Sequence, residues 1–198
     1  MNITSKDRIL KTTINLYAYY GINGVSMSQV ASELQISKKT LYAEFSNKEE
    51  LLTACIDHEL ERLNCSLNRI EKEALNSVDA IILITSDLIR YKTCFCPAFY
   101  RDLNRFQYPL LKINNYMQEL AGRYHIYFQK GKEEGYFQPE LDCEVMSTIF
   151  IEQLIDKKPS HQSVMIFTFL RGISTQQGLS ILTNYTPATI IKNTYNYK

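Results

Sequence analysis

Charge of one sign is what this sequence most visibly lacks. Its 198 residues carry 22 Lys and Arg against 21 Asp and Glu, so bulk charge announces no nucleic-acid partner. The first fifty residues are equally balanced: Lys6, Arg8, Lys11, Lys38, Lys39 and Lys48 face Asp7, Glu33, Glu44, Glu49 and Glu50. Any contact with DNA must therefore rest on local pattern. An even cysteine framework is also missing, since Cys55, Cys65, Cys94, Cys96 and Cys143 are five. The start of the chain has no charged-then-apolar signal run, and the expected setting is a reducing cytoplasm. The uncharged stretch Gly172 to Ile191 is long enough to cross a bilayer, but Ser174, Thr175, Gln176, Gln177, Asn184 and Pro187 interrupt it. No membrane span is expected.

Catalytic constellations are absent as well. There is no phosphate-cradling glycine loop, no paired-His metal spacing and no nucleophile motif, and His58, His125 and His161 stand singly. Cys94-Phe95-Cys96 has no His or second Cys pair nearby to complete a tetrahedral zinc site. These thiols read as buried among aromatics, with a thiol switch as the alternative. No catalytic residue, metal or cofactor is expected. Strands, repeats and low-complexity tracts are missing too, while 45% hydrophobic residues indicate an ordered globular chain. The expectation is an all-α protein of about nine helices.

What is present is concentrated between Val25 and Phe45, VSMSQVASELQISKKTLYAEF. Ser26 and Gln29 have capping-box spacing. Met27, Val30, Ala31 and Leu34 then line one helical face. Gln35 and Ile36 make a turn, Ser37 is a second N-cap candidate, and Leu41 and Phe45 can both face inward. That leaves Lys38, Lys39, Thr40 and Tyr42 outside on a short, partly basic face. A helix–turn–helix of this kind sets its second helix in the major groove. An ordinary helical hairpin fits the same segment, but Asn47 and Glu50, again in capping-box spacing, start another helix at once.

The run Gly24 to Leu52, GVSMSQVASELQISKKTLYAEFSNKEELL, resembles the DNA-binding domain of tetracycline-repressor-like (TetR family) transcriptional regulators. The likeness rests on the small-residue turn before the first helix, the Ile-Ser turn, the Thr-Leu-Tyr core of the second and the Phe-x-x-Lys-Glu-Glu-Leu entry to the next. Carried over residue by residue, it implies that Thr40, Tyr42 and Lys48 contact DNA, with Ser37, Lys38 and Lys39 close to the backbone. At Glu44 the family usually has an aromatic or His; a carboxylate there would repel a phosphate. The expected domains are a DNA-binding head over residues 1–47 and a helical ligand-binding and dimerisation region over 48–198.

Along the chain, Ile9, Thr13, Leu16, Tyr17 and Tyr20 trace the stripe of a first helix, whose tyrosines read as core, with Gly21 as its stop. Leu52, Ile56, Leu60, Leu63, Leu67 and Ile70 predict a fourth helix which, at ~1.5 Å per residue, exceeds 30 Å. Ser77 is a cap candidate for a fifth, apolar over a wide arc and so destined for a core. Residues 93–108 are aromatic and broken by Pro97, and Pro109 suits the first turn of a long helix carrying Leu110, Ile113, Met117, Leu120, Tyr124 and Phe128. Asp142 is the cap candidate of an eighth helix, and a ninth is expected from about Gln162 to Leu182, where Gly172 and Gly178 would admit another helix.

Phe95, Phe99, Met117, Tyr124 and Phe128 are candidate walls of an apolar effector pocket, with plain core as the alternative. The family resemblance implies repression, dimerisation through the last two long helices and release from a double-stranded DNA operator by a small molecule. A helical small-molecule or lipid-binding protein without a DNA role is the competing reading.

Overall fold

A computed structural model describes residues 5–155 and 159–188. Among the described residues there are ten helices and no strand. They are α1 (Ser5–Tyr20), α2 (Met27–Glu33), α3 (Lys38–Glu44), α4 (Lys48–Glu73), α5 (Ser77–Thr93), α6 (Pro97–Leu103), α7 (Gln107–Glu133), α8 (Cys143–Ile155), α9 (Pro159–Ile173) and α10 (Gln176–Leu182). Two compact units emerge. One comprises Met1–Leu63 and Cys94–Tyr116, the other Asn64–Thr93 and Met117–Lys198, so α4 and α7 each contribute to both.

The first unit is built around α1 to α3, the start of α4, and α6. Ile9, Leu10, Ile14 and Tyr17 of α1 join Val30, Ala31 and Leu34, Leu41 and Phe45, Leu51, Leu52 and Cys55, and Phe99 and Leu103 in one core. Burying each such side chain stabilises by about 1.5–3 kcal/mol. Tyr17 is core as expected, but Tyr20 is 59% exposed and stacks edge-on with the exposed Tyr19. The buried stripe of α1 continues from Tyr17 to Gly21, which ends the helix at φ 77°, and so passes Tyr20 by. Pro97 does not break the aromatic segment; it begins α6, as proline at a first helical position can, because no N–H is needed there.

In the second unit α5 is buried along almost its whole length, from Ser77 to Ile89. The sequence expectation of a wide apolar arc holds. Its cap does not: Asn76 Oδ1 accepts the Asp79 N–H at 2.9 Å, while the Ser77 hydroxyl donates to Glu134 at 2.7 Å. α5 packs against α9 and α10. Tyr124, Phe128, Phe137 and Phe150 form an aromatic group whose successive ring centroids lie 4.8–5.6 Å apart. Asp142 caps α8 by accepting from the Glu144 and Val145 N–H groups, each at 3.1 Å.

The single long helix expected from Gln162 to Leu182 is two helices. At the break Ser174 pairs with Phe137 in an isolated antiparallel bridge, with Gln138 N–H donating to Ile173 O and Thr175 N–H to Tyr136 O. Thr175 Oγ1 then caps α10 through the Gly178 N–H at 3.2 Å. The two glycines differ accordingly. A Cβ at Gly178 would lie 2.1 Å from Tyr136 O, so its close approach is to the loop of its own chain and not to another helix; one at Gly172 would meet nothing within 4 Å.

Candidate nucleic-acid interface

The capping box is complete: Ser26 Oγ accepts the Gln29 N–H at 3.2 Å and Gln29 Oε1 accepts the Ser26 N–H at 2.7 Å. This fixes the start of α2. Met27, Val30 and Ala31 are buried beneath it. The turn to α3 runs through Gln35 in the left-handed region, φ 56°, and Ile36 N–H donates back to Ala31 O at 3.0 Å. A non-glycine residue there costs roughly 1 kcal/mol or more. The turn persists because both of its flanks are anchored, Leu34 at 3% and Leu41 at 0% exposure.

Ser37 caps α3 by accepting the Thr40 N–H at 3.0 Å. Its hydroxyl also lies 2.7 Å from Thr40 Oγ1, so the two side chains form one polar pair at the helix start. With Leu41 and Phe45 inward, Ser37, Lys38, Lys39, Thr40 and Tyr42 all stand exposed, together with Ala43 and Glu44. The structure therefore gathers five of the six expected DNA residues on one short helix and its cap. It presents two ammonium groups in the first turn.

The sixth, Lys48, opens α4. Asn47 Oδ1 accepts the Glu50 N–H at 2.9 Å, and Glu50 Oε2 accepts from Ser46 N–H at 2.7 Å. Lys48 is half-buried, with Nζ 5.9 Å from the Tyr17 ring centroid. Burial pushes its pKa down, and the nearby Asp102 carboxylate acts in the opposite direction. Asp102 is a residue that sequence reasoning missed. It sits on α6, 4% exposed, and Oδ2 accepts the backbone N–H of Asn23 at 2.8 Å. Nothing in a linear pattern pairs residues so far apart in the chain.

The expected pocket residues fall into two groups. Phe95 and Phe99 belong to the first unit, with ring centroids 4.5 Å apart, and Tyr100 meets both edge-on. Met117, Tyr124 and Phe128 belong to the second. There Tyr124 and Phe128 are fully buried, and Tyr124 Oη lies 2.9 Å from Thr85 Oγ1. Phe137 and Phe150 share that aromatic group and were not anticipated; their positions among apolar helical residues give no sign of which rings they meet.

Residues 9–55 match the family profile of bacterial regulatory proteins of the tetR family. The uncharacterized HTH-type transcriptional regulator YerO of Bacillus subtilis (strain 168) is 34% identical over 68 residues, 34% of this chain and 24% of that protein. The match thus spans about a quarter of that relative's length. Among solved structures, a TetR-family transcriptional regulator from Marinobacter aquaeolei VT8 superposes with a TM-score of 0.77 at 14% identity, over 95% of this chain and 99% of that one. A gamma-butyrolactone receptor superposes with a TM-score of 0.67 at 13% identity, over 92% and 93%. No helix among the described residues is long and apolar enough to cross a membrane. Residues 9–55 thus hold a capped helix–turn–helix that matches the DNA-binding module of bacterial regulatory proteins of the tetR family, and the all-helical remainder completes the fold of the TetR-family structure it superposes on.

Proposed function

We propose that this chain is a cytoplasmic homodimeric repressor that binds a roughly palindromic double-stranded DNA operator and leaves it when a small-molecule effector binds. The head over residues 1–47 reads DNA, and residues 48–198 hold the effector and the dimer contact. The observation that carries this reading is the α3 surface: a Ser37-capped helix start exposing Lys38, Lys39, Thr40 and Tyr42 above buried Leu41 and Phe45. Base edges and phosphates are met by helix starts of this kind. Lys48 neutralises a phosphate.

For the effector, the support is the apolar and aromatic character of the five expected residues and the name of the gamma-butyrolactone receptor among the structural neighbours. For the dimer, it is the exposure of Val145 on α8 and of Val164 and Met165 on α9. Gly172 remains open to a partner; Gly178 does not, being filled by Tyr136 of its own chain. Effector binding need only favour, by a few kcal/mol, the dimer geometry whose heads miss half-sites about 34–36 Å apart.

A mobility shift on the chain's own promoter DNA, repeated over a range of salt, tests the reading. Lys48→Ala should weaken binding and flatten the salt slope by about one unit. The competing reading, a helical small-molecule or lipid-binding protein, is favoured by Glu44 on α3 and the charge balance of the head. It requires that no duplex be retained even at low salt.

A further inference from the structure

Asp102 is a carboxylate with no part in the core it occupies. It lies on α6 at 4% exposure, and a buried carboxylate is costly unless it is hydrogen-bonded or paired. Its Oδ2 accepts the Asn23 N–H at 2.8 Å, and Arg101 Nε approaches Oδ1 only to 3.8 Å through a largely exposed side chain. Asn23 belongs to the six-residue connection, Gly21 to Ser26, that joins α1 to α2. Backbone bonds of this turn run from Gly21 N–H to Tyr17 O at 2.9 Å and from Val25 N–H to Ile22 O at 3.3 Å. The backbone is built to let α6 in: a Cβ on Gly21 would lie 2.8 Å from Ala98 Cβ and 3.1 Å from Asp102 Oδ2. One residue before α6, Cys96 N–H donates to Ala18 O at 2.8 Å, so both ends of the approach are hydrogen-bonded.

We infer that Asp102 is a positioning residue for DNA binding, holding the α1–α2 turn through Asn23. The inference rests on the proposed DNA reading. The turn sets where α2 starts, and α2 carries α3 through a buried, two-sided junction, so loosening Asn23 lets the reading helix shift against α1. The carboxylate on α6 thus holds a turn 79 residues away in sequence. Asp102 need not touch DNA.

The sign of one substitution separates this role from simple electrostatics. Asp102→Asn keeps an oxygen for the Asn23 N–H but removes a negative charge from a protein that must meet phosphates, which by Coulomb attraction alone tightens binding. A positioning role predicts the reverse: a loss of about three- to tenfold on the chain's own promoter duplex, the scale of one charge-assisted contact felt at second hand. Asp102→Ala should lose more and should also unprotect the Asn23 amide in hydrogen exchange, which is measured on the full chain without DNA. In Asp102→Asn the Asn23 amide should also exchange faster while amides of the second unit do not, which a general loss of stability would not do. Tight or unchanged binding by Asp102→Asn overturns the inference, as does exchange at Asn23 that stays at the wild-type rate. If the wild-type chain retains no duplex, the DNA reading falls and takes this role with it, whereas wild-type binding with an insensitive Asp102 refutes only the role.

Discussion

The α2–α3 pair and α5 solve opposite problems. α2 and α3 have seven residues each and bury only one or a few, so their ends must be held by side chains: Ser26 with Gln29, Ser37 with Thr40. α5 has 17 residues and buries most of them, and its polar side chains turn back onto its own carbonyls or onto neighbours. Thr85 Oγ1 bonds Ile81 O, Ser86 Oγ bonds Ile82 O, and Asp87 pairs with Arg90 and accepts from Ser66 Oγ at 2.7 Å. Short helices at a surface depend on local capping because isolated turns are marginal. A buried helix depends on what surrounds it. The head should therefore be more sensitive to its caps than the α5 region is.

The largest break in this contrast should come from the aromatic group around α5. Phe150→Ala removes a ring, 1% exposed, that meets Tyr124 and Phe128. A loss of about 3–5 kcal/mol in urea unfolding is expected. A loss below 1 kcal/mol would show that the group is loosely packed.

Gly178→Ala comes next, because its Cβ would have to displace Tyr136 O from 2.1 Å, and a cost of about 1–3 kcal/mol is expected. The matched control is Gly172→Ala. Nothing lies within 4 Å of that Cβ, so the change should stabilise α9 by up to about 1 kcal/mol, read as a rise in melting temperature of the dilute chain. If the two substitutions behave alike, the bridge at Ser174 does not hold the break in place.

In the head, Ser37→Ala should cost about 1 kcal/mol of stability by freeing the Thr40 N–H, and should lower DNA affinity at the same time. The smallest effect is a gain. Gln35→Gly relieves a left-handed residue and should stabilise the turn by a few tenths of a kcal/mol after the added flexibility of the unfolded chain is subtracted. A destabilised Gln35→Gly would mean that the Gln side chain contributes more than its backbone strain costs.

Several elements were legible without coordinates because they are local. Ser26–Gln29, Ser37, Asn47–Glu50 and Asp142 all cap as their spacing indicates, since a cap joins residues two to four apart. The α3 face was equally legible, because Leu41 and Phe45 fall on one side of any helix drawn through them. Where expectation failed, a distant partner intervened. Ser77 yields its capping role to Asn76 because Glu134 takes its hydroxyl. The helix from Gln162 stops at Ser174 because Phe137 and its neighbours claim the backbone there.

What the amino-acid order determined by itself, then, is the helical class, the reading pair and its exposed basic face, all set by periodicity and capping within a few residues. Only the tertiary structure decided which glycine is filled, that Phe95 and Phe99 pack in one unit while Tyr124 and Phe128 pack in the other, and that a carboxylate on α6 meets the turn before α2. The physical reason is separation along the chain. A contact between Asn23 and Asp102 depends on every helix folded between them, and no spacing rule reaches across 79 residues.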